Sequence, residues 1–138
     1  MAKIASAIDI PLATGENDYT RYGFKELITK RVIDIVQADV ARAGGFLECK
    51  KIASMADTVG IYCAPHGFGH IVGLAANIHF VASTPNAIML EVDQLPNPLR
   101  DELLVKPIEI KKGFVDVLEN PGLGIEINDN VVSKYSIK

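Results

Sequence analysis

Four apolar runs each end in a polar residue. Residues 8–14 lead through Gly15 to Glu16, 33–38 to Asp39, 60–65 to His66 and 87–90 to Glu91. Roughly 25 residues separate each polar residue from the next, the length of one strand, one helix and two short connections. Between the runs the apolar period changes to that of a helix. Over 19–31, Tyr22, Phe24, Leu27 and Ile28 make a stripe. Over 46–58, Phe46, Cys49, Ile52, Ala53 and Ala56 do the same, and Gly60 stops the helix. A third, strongly apolar helix is predicted over 71–81, with small residues such as Gly73, Ala75 and Ala76 for close packing on a sheet. Strands joined through helices run parallel, so their C-terminal ends share one rim. In a β/α barrel that rim carries the chemistry.

The alternation stops after residue 92. Residues 94–101 read as a proline-containing loop and 107–118 as a two-stranded hairpin turning at Lys111-Lys112-Gly113. Residues 120–124 read as a turn, and Asp129 as the cap of a short helix ending at Tyr135. Residues 1–7 read as the last turns of a helix feeding the first strand. The expected fold is α/β: a partial (β/α)8 TIM-type barrel of about four parallel units, followed by a short β-hairpin and tail. One domain, 1–138, is expected, with βα units over 8–92 and the loop, hairpin and short helix over 93–138. A closed barrel takes about 250 residues. A half-barrel opening on a helix tail is therefore expected to have lost what came before it. Its two unpaired edges and open apolar face predict self-association or a separate N-terminal partner chain.

Composition narrows the function. Of 138 residues 49% are hydrophobic and 22% charged, ordinary for a soluble globular chain. A net charge of −3 without a Lys/Arg run argues against a nucleic-acid partner. No apolar run reaches the roughly 20 residues of a membrane span, and no signal-peptide pattern opens the chain. Cys49 and Cys63 are isolated thiols and fit a reducing cytoplasm, where the chain is expected to reside.

Taken alone, Glu16 also reads as a loop carboxylate, Asp39 as a turn cap and His66 as a loop histidine; their common place at strand ends joins them. His66-Gly-Phe-Gly-His70 invites a zinc reading, and with it a hydrolase, but two glycines separate the histidines and no third N/S ligand is near. Gly67-Phe-Gly69 before a helix could cradle an anion, though without a nucleotide motif.

The motifs Pro11-Leu-Ala-Thr-Gly-Glu16, Gln37-Ala-Asp39 with Ala43-Gly-Gly45, Ala64-Pro-His-Gly67 and Met89-Leu-Glu91 follow in order. Together with Asn97-Pro-Leu-Arg-Asp-Glu102 and Pro121-Gly-Leu-Gly-Ile-Glu126, they resemble the C-terminal half of the barrel in the mandelate racemase branch of the enolase superfamily. The nearest resemblance is to its gluconate- and galactonate-type acid-sugar dehydratases. The resemblance implies that the four strands are the fifth to eighth of a barrel. It implies that Glu16 is one of three carboxylates on an essential Mg²⁺, His66 the catalytic base, Asp39 the carboxylate orienting it, and Glu91 a hydrogen-bond partner of the substrate's carboxylate end. The implied reaction takes the α-proton from an aldonic acid and loses water to give a 2-keto-3-deoxy acid. The other two metal ligands and the capping domain lie in sequence absent from these residues, so the chain alone is expected to be inactive. The alternative is a non-catalytic half-barrel that serves as a structural or interaction module.

Overall fold

A computed structural model describes residues 1–137. Helix α1 (Ala2–Ala5) precedes strand β1 (Ala13–Thr14), and the order then runs α2 (Thr20–Thr29), β2 (Ile35–Val36), α3 (Gly45–Asp57), β3 (Tyr62–Cys63) and α4 (Ile71–Ala82). The tail holds α5 (Pro98–Asp101), the hairpin strands β4 (Ile110–Lys111) and β5 (Phe114–Val115), and α6 (Asp129–Tyr135). Strands β1, β2 and β3 pair in parallel in that order, with Ala13 opposite Ile35 and Ile35 opposite Tyr62. The expected alternation of strand and helix is present, and the sheet does not close into a barrel among the described residues.

The fourth run differs from expectation. Instead of a strand it contributes one parallel bridge, between Ala87 and Cys63. The Cys63 N–H donates to the Asn86 carbonyl and the Ile88 N–H to the Cys63 carbonyl, each at 2.9 Å. Continuing that ladder would need an N–H from residue 65. That residue is Pro65, which has none, so regular pairing stops there.

The pleat sorts side chains onto two faces. Val36 and Cys63 point to the helices and are fully buried with Phe24, Ile52 and Phe80. The alternate row turns the other way, and Tyr62 on it is 54% exposed. In α2, Phe24 and Ile28 enter the core, but Tyr22 lies outside it, contrary to the predicted stripe, and stacks against Arg21. Arg21 also spans to Glu48 on α3 at 2.8 Å, and its backbone N–H and guanidinium together hold the Glu48 carboxyl below its ordinary range. Phe46 is likewise at the surface, whereas Cys49, Ile52, Ala53 and Ala56 are buried as predicted.

The tail folds back onto α4. Leu104 joins Ile71, Leu74 and Ile78 in a second core, flanked by Ile108, Val115, Ile125 and Ile127. Within it, Asn97 caps a short helix where a plain loop was expected, its side chain accepting the Leu99 N–H. Asn128, one residue before the predicted Asp129, caps α6 by accepting the Asn130 N–H. Both are Asn at N-cap positions, where a short acceptor reaches the orphan N–H groups.

Both cysteines are fully buried and free, and burial raises each thiol to about 12. Hardly any thiolate then exists at pH 8. Alkylation of the folded chain by iodoacetamide at that pH is expected to be slow and to become rapid once denaturant unfolds it. Fast labelling of either cysteine in the folded chain would contradict this packing.

Candidate active site

The parallel strands deliver three of the four strand-end residues to one point. After β1 the chain turns at Gly15, whose φ of +129° is one that L side chains rarely adopt and whose hydrogens face the Phe24 ring. A Cβ there would lie 2.4 Å from that ring, so only glycine lets the strand pass over the core and present Glu16. After β2, Asp39 opens a tight turn in which its carbonyl accepts the N–H groups of Arg42 and Ala43. After β3, Pro65 carries the chain to His66.

His66 lies between two carboxylates. Its Nδ1 is 3.0 Å from Asp39 Oδ2, and its Nε2 is 3.3 Å from Glu16 Oε2. Asp39 and His66 are 4% and 8% exposed. The other Asp39 oxygen accepts the Ala41 N–H at 2.8 Å. With both oxygens engaged the carboxylate cannot rotate away, so it fixes the imidazole with Nδ1–H donating and Nε2 facing the rim. The Glu16 side chain remains half exposed. Phe68 stacks beside the imidazole, with ring centres 6.2 Å apart.

Glu91 reaches the same rim by a separate link. Gln37 Nε2 donates to Glu91 Oε2 at 3.1 Å, and among the described residues no hydrogen bond or ion pair joins Glu91 to His66 or Glu16. Gly67 brings the two backbones together, since a Cβ on it would sit 2.0 Å from the Glu91 carbonyl oxygen. His70 caps α4, its Nδ1 accepting the Gly73 N–H at 3.1 Å. His79, at the far end of that helix, meets the Leu123 carbonyl.

Sequence reasoning passed over two residues that hold the rim together. Gln37 stood inside a recognised motif without a role. Asn77 was visible as the one amide in the apolar helix α4, a polar side chain where burial demands partners. It is 1% exposed and bonded at both ends, to Val40 and to His66.

The donor set can be tested against a magnesium ion. Mg²⁺ takes octahedral oxygen coordination, usually with carboxylates plus waters or substrate oxygens. Among the described residues no three His, Cys, Asp or Glu side chains gather into a metal-holding group. Glu16 is a suitable single ligand, but the residues present do not make a magnesium site by themselves. What they do make is an imidazole held by Asp39, with its second nitrogen turned to the rim beside Glu16. No helix among the described residues is long and apolar enough to cross a membrane.

Known proteins are similar to this chain over nearly its whole length. Arabinonate dehydratase of Saccharolobus solfataricus is 39% identical over 137 residues, which cover 99% of this chain and 36% of that enzyme. D-galactarolactone cycloisomerase of Agrobacterium fabrum is 35% identical, over 97% of this chain and 38% of its own length. Among solved structures, 3,6-anhydro-D-galactonate cycloisomerase of Zobellia galactanivorans superposes with a TM-score of 0.90 at 35% identity, over 99% of this chain and 38% of that one. The chain thus spans little more than a third of the length of the curated relatives it matches. Its relatives are acid-sugar enzymes, and residues 1–131 match the enolase C-terminal domain-like family, to which this chain belongs.

Proposed function

We propose that this chain forms the base-bearing half of the active site of an acid-sugar dehydratase, its three parallel strands and the bridged segment at Ala87 corresponding to the fifth to eighth strands of a (β/α)8 barrel. The observation that carries the reading is the Asp39–His66 pair, buried and rigidly oriented, with Nε2 turned to the rim. In this reading His66 Nε2 takes the proton from the carbon next to the substrate carboxylate. Asp39 stabilises the imidazolium so formed and keeps it in place. Glu91, held by Gln37, hydrogen-bonds the carboxylate end as charge builds there. The β-hydroxyl departs as water, taking back the proton held on His66 Nε2; this restores the free base and leaves an enol, which tautomerises to the 2-keto-3-deoxy acid. Glu16 is the one oxygen ligand these residues offer to the family's Mg²⁺; its other ligands would come from outside them.

Two measurements test this. The pure 138-residue chain is expected to show neither Mg²⁺ binding by titration calorimetry at millimolar metal nor loss of water from an aldonic acid. Mg²⁺-dependent turnover by the chain alone would overturn the division of the site. A chimera in which these residues replace the matched part of the Saccharolobus dehydratase is expected to dehydrate arabinonate or a related acid. A folded, metal-loaded but inactive chimera would favour a non-catalytic half-barrel module instead.

A further inference from the structure

We infer that Asn77 is the positioning residue that sets the distance between the acid–base partners Asp39 and His66, an inference that rests on the proton-abstraction reading of this pair. Asp39 and His66 sit on different loops, after β2 and after β3, and the two loops are bridged by one side chain. Asn77 Oδ1 accepts the Val40 N–H at 3.3 Å, immediately after Asp39, and Asn77 Nδ2 donates to the His66 carbonyl at 2.9 Å. The side chain is 1% exposed and comes from the second turn of α4, a helix anchored in both cores.

Each link supplies something the loops lack. Asp39 already commits its carbonyl to Arg42 and Ala43 and one carboxylate oxygen to Ala41, so among these bonds the Val40 N–H has only Asn77. Beyond His66 the Gly67 backbone is held against Glu91 and Asp93, not against the Asp39 loop, so the His66 carbonyl is the point at which the amide joins the two loops. A primary amide is the side chain suited to this place, since it accepts on one side and donates on the other. An apolar residue of similar size would fill the space and leave two buried backbone groups without partners.

The role is read through the imidazole itself. In the wild-type chain, nitrogen NMR of His66 is expected to show one arrangement only, with a proton on Nδ1 donated to Asp39. Asn77→Asp is isosteric and keeps an acceptor for Val40 but loses the donor to His66. In it the ring is expected to lose that single tautomer and show a mixture, with the proton partly on Nε2. Asn77→Ser is the milder variant, for use if the buried carboxylate unfolds the chain. It shortens the side chain, breaks both links, and should give the same mixture. In the chimera, kcat is expected to fall about 10²-fold, the scale of an angstrom's misplacement, with KM within about threefold.

A folded variant that keeps the wild-type tautomer and kcat, changing only its melting temperature, would reduce Asn77 to a structural residue and overturn the inference. That failure is distinct from failure of the base assignment. If His66→Asn left the chimera fully active, the dyad would not be the base, whatever Asn77 does to the tautomer.

Discussion

Replacing His66 with Asn in the chimera is expected to lower dehydration by about 10²–10⁴-fold, the usual contribution of a positioned general base. Asn keeps a polar group near Asp39 Oδ2 but has no atom that can take a carbon-bound proton at neutral pH. Folding should survive, because the His66 carbonyl, not its ring, carries the bond to Asn77. KM is expected to change little, since the lost interaction acts on the proton in flight and not on substrate binding. Asp39→Asn should give a loss of comparable size, up to about 10⁴-fold. It keeps the geometry but can present an amide N–H to Nδ1, reversing the tautomer and blunting the base.

The second large effect concerns Gly67. A methyl group there would lie 2.0 Å from the Glu91 carbonyl oxygen and 3.0 Å from its carbonyl carbon, both backbone atoms with no flexible end to move. The Asp93 N–H also donates to the Gly67 carbonyl, at 3.2 Å, so the two segments are tied on either side of the contact. Gly67→Ala must therefore separate them. An overpacking cost of about 1–3 kcal/mol corresponds to a melting temperature lower by roughly 5–10 °C. The Glu91 carboxyl should shift from Gln37, with dehydration by the chimera falling as well. Gly23→Ala is the matched control. It lies inside α2, and its added methyl would meet Asp18 Cβ at 3.6 Å, an ordinary contact. That change should leave stability equal or raise it by about 0.5–1 kcal/mol, because alanine is the better helix former. Equal melting temperatures for the two variants would contradict the close backbone approach at the rim.

Much of this arrangement was legible in the residues. Strand and helix alternate at a repeat long enough to be read from apolar period alone, and polar residues at the run ends announce the rim. The helix interiors followed from Phe24, Ile28, Cys49 and Ile52, all buried as their spacing requires. Tyr22 and Phe46 broke the pattern for different reasons. Tyr22, two residues before Phe24, falls on the opposite face of the helix, where i and i+2 never share a side. Phe46 lies at the edge of its stripe, where an aromatic ring can cover the surface instead of entering the core. The fourth strand was overestimated because its apolar run is indistinguishable from a paired one. The feature that interrupts pairing, Pro65, sits in the neighbouring segment. At the site, Glu16, Asp39 and His66 could be placed together because parallel strands fix their ends. The separate link of Gln37 to Glu91 and the double bridge of Asn77 depend on side-chain directions across three elements, which sequence spacing does not specify.

The most direct test is solvent-deuterium incorporation at the α-carbon of a 3-deoxy aldonic acid, which carries the labile proton but no β-hydroxyl to lose. The chimera with wild-type residues 1–138 is expected to wash deuterium into that position in the presence of Mg²⁺, and the His66→Asn chimera to leave the proton in place. Equal incorporation by both proteins would remove His66 from the base role and contradict the reading of this rim as a proton-abstraction site.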